Sequence, residues 1–160
     1  ALEQIGRLKG YNHATDAELS AATGLSGDAL HRARERWFTE TLLSPMDGER
    51  LLEIENQLQP MGYSLSRGGR FFTVQSAQVN KGKAVRWMME LFRQSYAQDP
   101  VFAAIGDSPN DVPMLEVVDI PFLVQKPDRS WAAVEVPQLI SIDAIGPHGF
   151  DTAVKLLLGE

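Results

Sequence analysis

Hydrophobic and polar positions alternate along the chain in two rhythms, one of about 3.6 residues and one of two, which predicts helices interleaved with short strands. Thr15-Asp16-Ala17-Glu18 has the form of a capping box, so a short helix starts there and stops at Gly24. Ser26 is placed to cap a second helix over roughly 27–38, and Thr39 to Leu43 reads as a short strand. Ser44-Pro45-Met46-Asp47 puts proline at a first helical position, and Leu51, Ile54 and Leu58 then keep helical spacing up to Gly62. Tyr63 to Ser66, a turn at Gly68-Gly69, and Arg70 to Val74 read as a hairpin. Ala84, Val85, Met88, Leu91 and Phe92 give the next helix an apolar stripe.

The remaining pattern is apolar strand and short helix in turn. Val101 to Ile105 reads as a buried strand ending at Gly106, followed by a helix over about 110–117. Ile120 to Val124 and Leu139 to Ile142 are predicted strands, and 147–158 a final helix. Two organisations therefore meet near residue 75: a small α/β layer before it, and half of a doubly wound parallel sheet after it. Half a sheet leaves an edge of unpaired backbone groups. That edge predicts that the chain is part of something larger or pairs with another chain.

Composition narrows the function classes. In 160 residues, 44% are hydrophobic and 22% charged, which is globular and not disordered. No apolar run approaches 18 residues, and the first 25 lack a basic-then-apolar secretion signal. The absence of cysteine excludes disulfides, thiolate metal sites and cysteine nucleophiles. A cytoplasmic location is the expectation. The net charge of -6 argues against nucleic acid as the main partner.

The charge is unevenly spread. Residues 67–98 carry Arg67, Arg70, Lys81, Lys83, Arg86 and Arg93 against Glu90 alone, between two acidic flanks. A basic stretch beside carboxylates suits a small anion with a metal cation. The ordinary alternative is the solvated face of one helix.

The chemistry concentrates at Gly106-Asp107-Ser108-Pro109-Asn110-Asp111, directly after a predicted strand. Ligands of parallel α/β sheets bind beyond the carboxyl ends of the strands. Asp107, Asn110 and Asp111 offer oxygen donors of the kind a hard cation such as Mg²⁺ takes, and the following helix start offers amides to an anion. The competing reading is an Asx turn that caps the helix. Lys81 opens the preceding helix, where the helix dipole disfavours a cation unless a phosphate faces it. Lys83 reads as a surface residue.

On these residues the chain resembles the haloacid-dehalogenase (HAD) superfamily of phosphohydrolases, in the branch with an α/β cap between core halves. Lys81-Gly82 matches its lysine motif, and Gly106 to Asp111 its acidic metal motif. Four further stretches resemble the narrower mannosyl-3-phosphoglycerate phosphatase family, in order and at similar spacing. They are Thr23 to Ser26, Arg34 to Glu40, Arg67 to Phe72, and Gly146 to Phe150. The resemblance implies an α/β cap over 10–75 and the C-terminal half of a Rossmann-like core over 76–160.

It also implies roles. Asp107 would bind Mg²⁺, with Asp111 beside it, and Lys81 would neutralise phosphoryl charge. Ser108 and Asn110 would complete the phosphate shell. Arg67, Gly69 and Arg70, with the Arg34 to Glu40 segment, would contact a phosphorylated sugar-glycerate, although each arginine equally suits a solvated turn. Glu35 and Glu40 are candidates for sugar hydroxyls or for helix-end salt bridges. His148 either lies near the site, after Gly146-Pro147, or caps the last helix, the second being the preferred reading.

One departure stands out. The superfamily's nucleophile is an aspartate at a strand tip with a second aspartate two residues on. The ten aspartates here are 16, 28, 47, 99, 107, 111, 119, 128, 143 and 151, and no two have that spacing. The chain by itself is therefore expected not to turn over phosphate esters. A missing N-terminal half or a homodimer partner is expected to complete it. A non-catalytic binding or assembly module, or another sugar-phosphate phosphatase of the superfamily, are the alternatives.

Overall fold

A computed structural model describes residues 8–43, 46–68 and 70–159. The chain divides into two compact units, 1–78 and 79–160.

In the first unit, α1 (Asp16–Thr23) starts with the expected capping box. The Thr15 hydroxyl accepts from the Glu18 amide, and the Glu18 carboxylate accepts from the Thr15 amide at 2.8 Å. Gly24 ends the helix at φ +78, a left-handed conformation that glycine adopts without a side-chain penalty. The second helix, α2, covers only Asp28–Arg34, shorter than the expected 27–38. Gly27, not Ser26, is its N-cap, with φ +53 and no side-chain cap. Leu30 is its buried residue, with Ala33 partly buried, and no apolar anchor beyond Arg34 pays for another turn. Trp37 and Phe38 instead project outward.

The sheet of this unit contains β1 (Thr39–Leu42), β2 (Tyr63–Gly68) and β3 (Phe71–Ser76) in the antiparallel order β1-β3-β2. The expected hairpin is present, shifted one residue at the start of its second strand, with Gly69 outside the described residues. Leu43 leaves β1 to pack among Tyr11, Ala14, Leu19 and Leu30. Helix α3 (Gly48–Leu58) follows. Ser44 and Pro45 lie outside the described residues, and the observed cap is Asp47, whose carboxylate accepts from the Arg50 amide at 2.8 Å.

Strand alternation sorts this sheet into two unlike faces. Leu42, Leu65 and Val74 face α3 and pack with Ile54 and Leu58. The opposite face carries two cross-strand rows, Thr39-Gln75-Ser64 and Thr41-Thr73-Ser66. Both rows are polar and uncharged. The Thr41 and Thr73 hydroxyls lie 3.4 Å apart.

The second unit is the expected half of a parallel sheet. Its strands are β4 (Ala103–Gly106), β5 (Ile120–Gln125) and β6 (Ile140–Ile145), in the order β4-β5-β6. The central β5 is buried along nearly its whole length, as a strand covered on both faces must be. β4 is an edge strand, and Ala103 and the preceding Val101 are exposed, so the expected fully buried strand is buried at Ala104 and Gly106 only.

Helix α4 (Lys81–Ser95) precedes β4, and Asn80 caps it through a bond from the Lys83 amide. Its buried positions are Gly82 and Met89, on one side of the helix. The predicted stripe is largely open: Met88, Leu91 and Phe92 are exposed, with Trp87 beside them. The periodicity marks a helix, but most of the face is uncovered in this unit: of the exposed three, Phe92 meets Phe102 edge-on, with ring centroids 6.3 Å apart. After β4 come a turn of tight helix at Pro109–Asp111 and the short α5 (Val112–Leu115). The final helix, α6 (Gly146–Leu158), packs Ala153 against Phe122, Val124 and Ile142.

Candidate phosphoryl-transfer site

The loop after β4 is built around Asp111, which is only 4% exposed. One of its oxygens pairs with the Lys81 ammonium. The other accepts from the amides of Asp107 and Ser108 at 3.0 and 3.2 Å and from the Ser108 hydroxyl at 3.1 Å. Burial pushes the Asp111 carboxyl up, and the Lys81 ammonium, the Asp107 amide and the Ser108 hydroxyl outweigh it, holding the group below its ordinary value.

Two glycines make this packing possible. A Cβ on Gly106 would sit 2.6 Å from the Cβ of Asp111. A Cβ on Gly82 would sit 2.0 Å from the Pro113 carbonyl oxygen, so α4 and α5 approach as closely as backbone allows. That approach sets Lys81, the next residue, on Asp111. Lysine at a helix start is thus balanced by the buried Asp111 carboxylate, in addition to any anion it faces.

Asp107 is different. It stands at the strand tip, exposed, and its carboxylate has no hydrogen-bond or ion-pair partner among the described residues. The single Ser108 hydroxyl hydrogen is shared between Asp111 and the nearer Asn110 side-chain oxygen, 2.6 Å away. The structure therefore brings Lys81, Asp107, Ser108, Asn110 and Asp111 together and divides their labour. Asp111, expected as a metal ligand beside Asp107, accepts from protein donors at both of its oxygens. Asp107 is the open carboxylate.

Among the described residues no cluster of three or more His, Asp or Glu side chains is placed to hold a metal. The donor set nevertheless fits Mg²⁺, which takes one or two carboxylates and completes its shell with water and substrate phosphate. Asp107 would be the protein's ligand here.

The hairpin residues separate. The Arg67 guanidinium lies 5.8 Å from the Phe72 ring centroid and that of Arg70 lies 5.3 Å from Phe71. Phe71 and Phe72 are adjacent in β3 and face opposite sides of the sheet, so the two arginines flank different faces. Arg34 is structural: it pairs with Asp16 at 2.5 Å and donates to the carbonyls of Tyr11 and Ala14. Glu35 is the exposed C-cap of α2. Glu40 accepts from the Asn12 amide and side chain.

His148 caps nothing through its side chain, since α6 has no side-chain cap. It lines a cleft of about 180 Å³ with Gln125, Arg129 and Asp143 at the carboxyl ends of β5 and β6. Sequence reading missed this cleft, because its residues come from three separate segments.

The parallel sheet thus carries an open carboxylate, Asp107, at the tip of β4, beside Lys81 fastened to Asp111. A family model described as haloacid dehalogenase-like hydrolase matches residues 39–130, and the chain belongs to that family. It is 30% identical over 154 residues to a glucosyl-3-phosphoglycerate/mannosyl-3-phosphoglycerate phosphatase of Persephonella marina, and 34% identical over 165 residues to one of Methanococcoides burtonii. These alignments cover 96% and 99% of the chain but 57% and 60% of the relatives' own lengths. A crystal structure of a Thermoplasma acidophilum protein shares the fold, with a TM-score of 0.59 at 16% identity, over 89% of this chain and 59% of that one. No helix among the described residues is long and apolar enough to cross a membrane.

Proposed function

We propose that the intact protein hydrolyses the phosphate monoester of a sugar-linked phosphoglycerate, of the mannosyl- or glucosyl-3-phosphoglycerate kind, with Mg²⁺. The observation that carries this reading is the pairing of a fastened Lys81 with an open Asp107 at one strand tip, in a chain similar along its length to phosphatases of that description. Lys81 holds a fixed positive charge toward the phosphoryl oxygens, and half of its side chain remains exposed to do so. Ser108 and Asn110 offer a hydroxyl and an amide to the same group. Asp107 would hold the metal, which when bound neutralises charge on the transferring phosphoryl group.

The nucleophile belongs to the part of the relatives that this chain does not span, since no aspartate pair here has the required spacing. The edge of β4 and the exposed apolar stripe of α4 are the surfaces that part would cover. A homodimer partner is the alternative occupant. A non-catalytic assembly module is the second reading, and those same uncovered surfaces favour it.

The test is phosphate release with Mg²⁺ and both sugar phosphoglycerates. It uses the chain alone, then the chain with the segment of the Persephonella marina relative that it does not span. Release only with the added segment, and lost in Asp107→Asn, is the expected result. Release by the chain alone that survives Asp107→Asn sinks the proposal. Inertness of both, with a stable complex formed, favours the assembly reading.

A further inference from the structure

The cleft at the carboxyl ends of β5 and β6 takes no part in the phosphoryl chemistry proposed above, yet irregular backbone from three segments meets there. β5 and β6 pair as far as Val124 with Ile142, and the next pair is Gln125 with Ile145. Asp143 and Ala144 are thus the extra residues of a bulge, and both line the cleft. Bulges re-aim side chains and gather beside binding sites. Gly149 lets α6 close onto this bulge: a Cβ there would fall 2.8 Å from the Ala144 carbonyl oxygen. That approach brings the preceding residue, His148, to the cleft.

The third segment is the turn after β5, where Arg129 stands at φ +65. Its amide donates to the Lys126 carbonyl, and the Lys126 amide to the Ser130 carbonyl, both at 2.8 Å. Asp128 fastens the turn by accepting from the Ser130 amide and hydroxyl at 2.9 and 2.6 Å. Glycine is the ordinary residue for a left-handed position in so tight a turn. An arginine there is strained, and strain of this kind concentrates at binding sites. The Arg129 guanidinium is exposed at the cleft and has no ion-pair or hydrogen-bond partner among the described residues.

Size and charge decide what the cleft takes. Its volume is about 180 Å³. At about 30 Å³ per water molecule this is space for a compound of only a few heavy atoms. Arg129 supplies a planar fork that matches a carboxylate. Asp143 supplies a held acceptor: the side-chain amide of the buried Gln125 donates to its Oδ1 at 2.8 Å. A carboxylate so placed accepts from a hydroxyl and repels a doubly charged phosphate. One cation beside one held carboxylate therefore suits a molecule with a single negative charge and a hydroxyl.

We propose that the cleft of Gln125, Arg129, Asp143 and His148 binds a small free hydroxy acid, with Arg129 taking its carboxylate and Asp143 its hydroxyl. The site lies wholly in the second unit and does not depend on which phosphate ester the intact protein hydrolyses.

The experiment uses the full chain without metal and without phosphate. Glycerate, propionate (no hydroxyl) and glycerol (no carboxylate) are titrated while NMR follows the Gln125 side-chain amide and the His148 ring. Saturable glycerate binding is expected to shift both signals, with propionate about tenfold weaker and glycerol without effect. Arg129→Gly should abolish binding and raise the thermal unfolding midpoint, because glycine relieves the strained position. Asp143→Asn should remove the preference for glycerate over propionate. Arg70→Ala, in the hairpin of the other unit, should leave glycerate binding unchanged. Circular dichroism of each variant checks that it folds. No saturable binding of glycerate, binding kept in Arg129→Gly, or binding lost in Arg70→Ala each overturns the proposal. A lowered midpoint in Arg129→Gly also overturns it, since the arginine would then be a structural support. Phosphate release is a separate readout, and its failure would refute the proposed reaction while leaving this binding in place.

Discussion

The Lys81 ammonium contacts one oxygen of Asp111 while the other oxygen gathers the Asp107 and Ser108 amides. The two partners are unequal: Lys81 is half exposed and Asp111 buried. Removing each therefore has a different cost. Asp111→Ala strands two amides and is expected to destabilise the chain by about 2–3 kcal/mol. Lys81→Met removes a largely solvated charge and is expected to cost less than about 1 kcal/mol. Urea unfolding of both variants measures the asymmetry, and equal costs would refute it.

Acid should reveal the same carboxylate. Asp111 is held below its ordinary value, and Glu18 is lowered to about 2 by its bond from Lys9 and those from Thr15. A carboxyl depressed in the folded state adds stability above its unfolded value and loses it as pH falls through the folded one. Stability should thus decline from about pH 4.5 toward about 2. Asp111→Asn should flatten part of that decline, read as the unfolding midpoint against pH.

Gly82 admits no side chain. Its Cβ would meet the Pro113 carbonyl, which belongs to backbone and cannot swing away. Gly82→Ala is expected to cost about 1–3 kcal/mol by overpacking and to part Lys81 from Asp111. Gly48→Ala, at an open position, is the control and should not show this cost. Thermal unfolding compares the two.

The exposed stripe of α4 is expected to drive association. Trp87→Lys with Leu91→Lys should leave folding stability within about 0.5 kcal/mol, because both side chains face solvent. The same pair should abolish any concentration-dependent self-association and any complex with the segment proposed to cover this face. Sedimentation velocity of wild type and variant reads both effects.

Much of the fold was legible because its signals are local. The Thr15 to Glu18 capping box, the Gly24 stop, the Tyr63 to Val74 hairpin and the strand–loop–helix around Asp107 each depend on residues within a few positions. Boundaries that depend on distant contacts slipped. The second helix stopped early at Arg34 because nothing distant packs on Trp37 or Phe38. The cleft of Gln125, Arg129, Asp143 and His148 joins segments that no spacing connects.

The amino-acid order by itself determined which segments are helix or strand, the half-sheet architecture, and the loop after β4 that carries Asp107, Ser108, Asn110 and Asp111. Those are properties of periodicity, turn residues and local spacing. Only the tertiary structure decided that Asp111 is occupied and Asp107 open. A carboxylate's role depends on which donors from other segments reach it, and Lys81 arrives from 30 residues away. It likewise decided that the apolar stripe of α4 faces outward. Periodicity marks an apolar face but carries no information about which surface, in this chain or another, comes to cover it.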